Sequence, residues 1–272
     1  AIADGASSGM FSGPWARILV EAAVQGGCPE DPNHTAQLTD WLKLLREQWL
    51  EEIPPLAELK WNQKKRLHQC GGGYTTLLWI ETAASPTADA EDVETSAGSD
   101  RVQFLCRSVG DCCLFHVRNG ALLQSFPISD SNELEATPLT ICSVNRGRDA
   151  ELQFRSHSLD CCRDDLVVLA TDAIAKWLLE QQESNVKVDW DTIWTWPVED
   201  WQEFIGGLRA KRDIRYDDTT LVMLKILAEP TEQPSLPEND DGPGRADLSE
   251  PPAEEETGGG WSSRLLLLVC VA

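Results

Sequence analysis

Short unbroken apolar runs alternate along this chain with longer segments that are apolar on one face only. Runs such as residues 166–171 and 219–226 have the length and composition of buried β-strands. The same reasoning predicts strands at the start of the chain and over residues 74–80, 101–109, 113–118, 121–126 and 152–157. Asn119-Gly120 separates two of these runs, and this dipeptide is a strong signal for a two-residue hairpin turn.

Apolar side chains recur at spacings of three and four in the segments between these runs. They predict helices over residues 12–25, from about residue 35 to Pro54, over 56–67, from about residue 173, and after Pro197. Pro14 suits a first helical turn, and Thr35 is a candidate cap. Strands in hairpin order with helices grouped between them predict an α+β fold of layered antiparallel sheets covered by helices.

Two segments lack this periodicity and divide the chain. Residues 83–100 hold five acids and no bases, and we interpret them as a mobile loop. Residues 229–260 are rich in Pro, Glu, Asp and Gly, the composition of a disordered acidic linker. We therefore expect a domain over residues 1–228, followed by this linker and an apolar tail over 261–272.

The tail is far shorter than the roughly 20 residues that a membrane-spanning helix requires. We interpret it as a short apolar end, with the beginning of a membrane segment as the alternative. The chain opens on Ala1 inside a predicted strand and shows no secretory signal, so we expect the natural chain to begin upstream. We expect a cytoplasmic protein, membrane-associated if the alternative holds.

The net charge of −22 argues against nucleic acid as a partner and favours cations. Nucleic acid binding requires clustered Lys and Arg, and we expect so acidic a chain to repel phosphates, whereas its negative field attracts cations. The nine cysteines include the adjacent pairs Cys112-Cys113 and Cys161-Cys162, which do not have the C-x-x-C spacing. We interpret the cysteines as reduced, partly buried thiols, which also favours the cytosol. The sequence leaves the oligomeric state open.

Aspartates border three of the apolar runs, at Asp4-Gly5, Asp172 and Asp217-Asp218. A carboxylate beside a buried strand is costly to desolvate unless a cation or hydrogen-bond donors compensate it. Oxygen ligands suit Mg²⁺ or Mn²⁺, whereas zinc prefers His or Cys, and the four histidines form no ligand-spaced pair. These positions therefore predict a shared cation site.

Several other features have simpler interpretations. Asp-Gly is a common turn dipeptide, and Gly110-Asp111 could equally end a strand. Gly71-Gly72-Gly73 lacks the Lys-Ser/Thr of a phosphate-binding loop. His116 lies inside a predicted hairpin strand, and we expect it to be structural. Four of the eleven tryptophans lie on helical apolar faces and are assigned to the core, namely Trp41, Trp49, Trp177 and Trp201.

Taken together, the motifs resemble those of the metal-dependent protein phosphatases of the 2C type, particularly their bacterial branch. The resemblance covers about residues 1–228. Its motifs, in the order of the family, are Ala3-Asp4-Gly5, Val109-Gly110-Asp111, Ala170-Thr171-Asp172 and Asp217-Asp218-Thr219-Thr220.

The resemblance implies a β-sandwich flanked by helices and a two-metal centre of Mg²⁺ or Mn²⁺ that activates water for phosphoryl hydrolysis. It implies that Asp4 bridges the ions, that the Gly5 carbonyl binds one of them, and that Asp172 and Asp217 hold the other. Asp111 would belong to a weaker third site, and Asp218 would orient the loop or a metal-bound water and would not bind metal directly. No covalent nucleophile is implied. The implied substrate is a phosphoserine or phosphothreonine protein.

The chain departs from the family pattern in ways that open an alternative. Ala6 stands where some relatives carry a His that is a candidate general acid, and the implied upstream Arg and Glu-Asp pair precede Ala1. We therefore expect either an active phosphatase or a catalytically weak or inactive binding module of the same fold. A membrane-tethered signalling protein is a third hypothesis, and it depends on the apolar tail.

Overall fold

The computed structural model describes residues 1–83 and 101–227, together with the backbone of residues 265–271. The described residues form six α-helices and ten strands. In chain order these are β1 (Ile2–Gly5), α1 (Ser12–Val24), α2 (Thr35–Glu52), α3 (Trp61–Cys70), β2 (Tyr74–Thr82), β3 (Arg101–Val109), β4 (Cys113–Arg118), β5 (Ala121–Phe126), β6 (Ile141–Cys142), β7 (Arg155–Cys162), β8 (Leu166–Ala170), α4 (Asp172–Glu183), α5 (Trp190–Thr195), α6 (Val198–Lys211), β9 (Thr220–Ile226) and β10 (Leu265–Val271).

The strands form two antiparallel sheets. The first has the order β1-β2-β3-β7, with the short β6 also paired to β2, and the second has the order β10-β9-β8-β4-β5. The turn between β4 and β5 has positive φ at Asn119 (53°) and Gly120 (72°), as the predicted hairpin requires. The predicted α+β class, with layered antiparallel sheets flanked by helices, is confirmed.

Helices cover the outer faces of the sheets, which gives four layers. One core lies between the two sheets, where Leu78 and Cys106 of the first sheet belong to the same buried cluster as Leu114 and Leu169 of the second. A second core joins α1 and α2 to the first sheet, and a third joins α4, α5 and α6 to the second. The tryptophans assigned to the core are buried, except that Trp177 is partly buried.

The layering explains why strand β8 is apolar at every position. In β8, Val167 and Leu169 lie in the core between the sheets, whereas Val168 and Ala170 lie in the core against the helices. Successive side chains of a strand alternate between its two faces, so a strand that is covered on both faces has no solvent-facing position.

Three of the differences between the predicted and observed element boundaries have a clear structural cause. His34, not Thr35, caps α2, because its Nδ1 accepts a hydrogen bond from the Gln37 backbone N–H at 3.5 Å. Helix α3 begins at Trp61 rather than at residue 56, after a turn in which the Glu58 N–H donates to the Pro55 carbonyl. Strand β7 begins at Arg155 rather than at residue 152, because a short 3₁₀ turn over Asp149–Glu151 leads into it.

The last apolar run has a partner in the fold. Leu265–Val271 forms β10 and pairs antiparallel with β9, from Leu265 opposite Ile226 to Val271 opposite Thr220. This pairing was not predicted from the sequence. The predicted linker over 229–260, and all but the first residue of the predicted loop over 83–100, lie outside the described residues. Within the described part of the chain, no helix combines the length and apolarity needed to cross a membrane.

Candidate functional site

Five residues singled out from the sequence line one pocket at an end of the sandwich. The pocket has a volume of about 150 Å³, and its walls include Asp4, Gly5, Asp111, Asp172 and Asp217. Asp4 and Gly5 end β1 of the first sheet, and Asp111 lies in the connection from β3 to β4. Asp172 follows β8 and begins α4, while Asp217 precedes β9. The pocket therefore collects acidic groups from both sheets.

The loop that follows Asp4 is held by backbone and hydroxyl groups. The Ala6 N–H donates to the Tyr74 carbonyl at 2.8 Å, and the Ser12 hydroxyl donates to the Ala6 carbonyl at 2.9 Å. A side chain at Gly5 would place its Cβ about 3.0 Å from the Ser12 carbonyl carbon, so glycine permits the close approach of α1 to β1. These contacts fix the Asp4-Gly5 corner.

The Thr171 hydroxyl links the segment that carries Asp172 to the segment that carries Asp217. Its hydroxyl donates to the Asp218 carbonyl at 3.3 Å and accepts from the Thr220 N–H at 3.0 Å. Arg209 of α6 adds a second tie, because its Nη2 donates to the Asp217 carbonyl and to the Thr219 hydroxyl. The segment that carries Asp217 is therefore fixed by both β8 and α6.

The carboxylates raise one another's pKa. Burial, followed by the charges of Asp172, Asp217 and Asp111, raises the pKa of Asp4 to about 7. Burial, followed by the charge of Asp172, raises the pKa of Asp111 to about 6. Burial also raises the pKa of Asp172, although Arg215 opposes the shift. The pocket thus carries negative charge that its own donors leave incompletely compensated.

The two carboxylate oxygens of Asp172 differ in their partners. Its Oδ2 forms an ion pair with Nη2 of Arg215, whereas its Oδ1 is buried and has no hydrogen-bond partner among the described residues. A buried, unpartnered carboxylate oxygen is costly, and coordination to a cation would satisfy it. The carboxylate oxygens of this pocket are also the donor type that Mg²⁺ and Mn²⁺ prefer. The donor types present therefore fit a divalent cation, although no three of the pocket's carboxylates place oxygens within 4.8 Å of one another.

Two further residues complete the description of the pocket. Asp218 is exposed and does not line the pocket; its backbone N–H donates to Oδ1 of Asp217 at 2.9 Å. Arg215 does line it, and the sequence analysis did not identify this residue. The available signal was a basic residue two positions before Asp217 in a strongly acidic chain.

In a separate cluster of potential metal ligands, the aspartate already accepts several hydrogen bonds. His116, Cys161 and Asp165 place potential ligand atoms within 4.8 Å of one another, the only such group of three among the described residues. Asp165 accepts hydrogen bonds from His116 at 2.8 Å, from Arg118 at 2.7 and 2.8 Å, and from the Cys162 N–H at 2.7 Å. Burial acts to raise the pKa of Asp165, but these bonds together lower it to about 2.

The thiol of this cluster is also unsuited to a metal, because burial raises the pKa of Cys161 to about 12. Arg118 already supplies the cation that Asp165 requires. We therefore interpret the cluster as an ion-pair network that joins β4, β7 and β8, which agrees with the structural role predicted for His116. The eight cysteines in the described residues are all free thiols.

Comparison with solved structures finds distant similarities. One is PppA, a key regulatory component of the T6SS in Pseudomonas aeruginosa, at 17% identity and a TM-score of 0.35, covering 66% of this chain and 69% of that one. A phosphatase from Toxoplasma gondii has 10% identity and a TM-score of 0.43, with coverages of 83% and 76%. The serine/threonine phosphatase PstP/Ppp of Mycobacterium tuberculosis has 15% identity and a TM-score of 0.34, with coverages of 64% and 68%.

No protein-family model and no curated protein matches the chain. Two of the three structures described above are named phosphatases. Because all three similarities are distant, the functional argument depends on the residues of this chain.

Proposed function

We propose that the protein is a metal-dependent phosphomonoester hydrolase that acts on phosphoserine or phosphothreonine in proteins. The observation that carries the proposal is the meeting of Asp4, Asp111, Asp172 and Asp217 in one pocket, with a buried oxygen of Asp172 left without a partner. These are the aspartates that the sequence motifs single out, and they come from four separate places in the chain.

The proposed roles of the residues are those that the motifs imply. Asp4 and the Gly5 carbonyl would hold one ion, with Asp4 shared between two, and Asp172 and Asp217 would hold the other. Asp111 would contribute to a weaker third site, and Asp218 would orient the loop through its hydrogen bond to Asp217. When bound, Mg²⁺ or Mn²⁺ would supply an activated water and electrophilic stabilisation of the phosphoryl group.

The chain's own groups would perform two further tasks. The carboxylates must be deprotonated to bind the ions, and the charge that the ions bring would offset the burial and the mutual repulsion that now raise their pKa values. The hydrogen bonds from Thr171 to the Asp218 carbonyl and from Arg209 to the Asp217 carbonyl would keep Asp172 and Asp217 at a fixed separation. Ala6 offers no proton donor, so the proton for the leaving group would come from water or from another, unidentified group.

Hydrolysis of an aryl phosphate tests the proposal directly. Mn²⁺ should support turnover, a chelator should abolish it, and Asp172→Asn should reduce it to background. Asp164→Asn is the matched control, because Asp164 is exposed, lies in the β7–β8 turn, and has a φ of 66° that asparagine tolerates. Full activity in a chelated, metal-free sample would overturn the proposal. Turnover of phosphotyrosine peptides in preference to phosphothreonine peptides would refute the proposed substrate class.

One observation favours the second hypothesis, a catalytically inactive module. The ion pair between Arg215 and Asp172 already gives a proposed ligand a cationic partner. Titration calorimetry separates the two hypotheses, since an inactive module would show no divalent-ion binding that Asp4→Asn weakens.

A further inference from the structure

A second, larger cavity lies directly beside the aspartate pocket. It has a volume of about 870 Å³ and shares Arg215 with that pocket. Its walls come from the 3₁₀ turn over Ser131–Glu135, from α4, and from the segment that follows α6. We call it the basic groove, because four of its lining residues are Lys176, Arg209, Arg212 and Arg215.

The concentration of bases is unusual for this protein. The chain has only 23 Lys and Arg against 45 Asp and Glu, yet bases outnumber acids in the groove. The acids are Glu135, Glu180 and Asp213. A local positive wall in an acidic protein favours an anionic ligand at this place over others on the surface.

Two of the four bases are already engaged in the fold. Lys176 forms ion pairs with Glu135 at 2.8 Å and with Glu180 at 3.9 Å. Arg209 donates to the Asp217 carbonyl and stacks on the Tyr216 ring at 5.0 Å. These two residues shape the groove and hold the loop beside it.

The other two bases are placed to meet a ligand. Arg212 ends α6, is exposed, and has no ion-pair partner among the described residues. Arg215 is paired with Asp172, and a divalent ion at Asp172 would compete for that carboxylate and release the guanidinium. The ring of Tyr216, which is 91% exposed, adds an apolar surface at the rim.

We propose that the basic groove binds the peptide segment beside the phosphorylated residue, and that Arg212 selects segments carrying aspartate or glutamate. The proposal rests on the proposed phosphatase function, because it places the phosphate in the adjacent aspartate pocket. Arg215 connects the two cavities and would lie nearest the phosphate. Arg212 is then a specificity-determining residue that acts through the peptide and not on the reacting atoms.

Kinetics on paired substrates test this inference. The Mn²⁺-loaded protein is given a phosphothreonine peptide flanked by aspartates, the same peptide flanked by serines, and an aryl phosphate too small to reach the groove. We expect kcat/KM to favour the acidic peptide by about fivefold, the size of one exposed charge pair. Arg212→Ala should remove this preference and Arg212→Lys should retain part of it, while any change with the aryl phosphate should be smaller. The preference should also shrink at high salt.

Arg163→Ala is the matched control, because Arg163 is an exposed arginine in the β7–β8 turn, at the opposite end of β8 from Asp172. It should leave the preference unchanged. An unchanged preference in Arg212→Ala, or an equal preference loss in Arg163→Ala, would overturn the proposal.

A binding measurement keeps the inference separate from the proposed function. Fluorescence anisotropy of a labelled, unphosphorylated aspartate-rich peptide needs neither metal nor turnover. We expect weak, salt-sensitive binding that Arg212→Glu reduces by about tenfold or more and Arg163→Glu does not, since charge reversal replaces attraction by repulsion. If the protein does not hydrolyse the phosphate esters but still binds the peptide in a way that depends on Arg212, the proposed phosphatase function is refuted and the proposed role of the groove stands. Hydrolysis with no effect of Arg212 in either assay would refute the groove alone.

Discussion

Arg215 forms an ion pair with Oδ2 of Asp172, while Oδ1 of the same carboxylate is buried without a partner among the described residues. The carboxylate is thus half satisfied by a guanidinium that is itself 46% exposed. An exposed partner contributes little to stability, but it occupies an oxygen that a metal ion would use.

The first prediction follows from this competition. Arg215→Ala should tighten Mn²⁺ binding by about twofold to fivefold, because removing a cation worth up to about 1 kcal/mol leaves Asp172 free for the metal. Titration calorimetry measures the change. Arg148→Ala, which breaks an exposed pair with Glu151, is the control and should leave the affinity unchanged. Weaker Mn²⁺ binding in Arg215→Ala would show that the guanidinium supports the site instead.

The second prediction concerns pH. In the metal-free protein, the raised pKa values of Asp4 (about 7) and Asp111 (about 6) mean that the folded state binds more protons than the unfolded state between about pH 4 and 7. The stability that these two groups contribute is therefore fully present below about pH 4 and is lost as pH rises through 7, by up to about 1.4 kcal/mol per pH unit and group.

Thermal unfolding of the chelated protein at a series of pH values measures this effect. Asp4→Asn should flatten the decline, and Asp164→Asn should not. Adding Mn²⁺ should reverse the trend, because the metal binds the deprotonated carboxylates. A melting temperature that rises from pH 5 to 7 without metal would contradict the assigned pKa directions.

The third prediction concerns the buried ion pair that anchors the segment before β7. Arg46 donates two hydrogen bonds of 2.7 Å to the Asp149 carboxylate, and the two side chains are only 7% and 11% exposed. Asp149→Asn should lower the free energy of unfolding by about 3–5 kcal/mol, because the Arg46 charge stays buried without its partner. Urea denaturation measures the loss. Glu151→Gln, which breaks the exposed pair two residues further on, should cost less than about 1 kcal/mol.

The fourth prediction compares two glycines that both have a positive φ, a conformation that strains other residues. Gly110 and Gly147 both have positive φ, at 94° and 71°. A Cβ at Gly110 would lie 2.5 Å from Cβ of Thr76, whereas a Cβ at Gly147 meets no atom within 4 Å. Alanine at Gly147 should cost about 1–2 kcal/mol from φ alone, and alanine at Gly110 about 1–3 kcal/mol more.

Because Gly110 precedes Asp111 and Thr76 lines the same pocket, Gly110→Ala should also weaken Mn²⁺ binding. Gly147→Ala should leave that affinity unchanged. Equal losses of stability in the two variants would show that the contact with Thr76 relaxes without cost.

The sequence by itself determined most of the elements and the identity of the acidic residues, but it did not predict β6, α5 or β10. Unbroken apolar runs such as Leu166–Ala170 identify strands because burial on both faces removes every polar position. Asn119-Gly120 identified its hairpin because few residues accept positive φ. The aspartates were recognisable because a carboxylate next to a buried strand requires a partner.

Only the tertiary structure decided what these residues meet. The convergence of Asp4, Asp111, Asp172 and Asp217 depends on the packing of two sheets, which no local pattern encodes. The pairing of β10 with β9 and the ion pair of Arg215 with Asp172 are long-range contacts of the same kind. The sequence identifies which buried polar groups need partners, because that need depends on the residue type and its neighbours along the chain. The choice of partner depends on distances that exist only after the chain has folded.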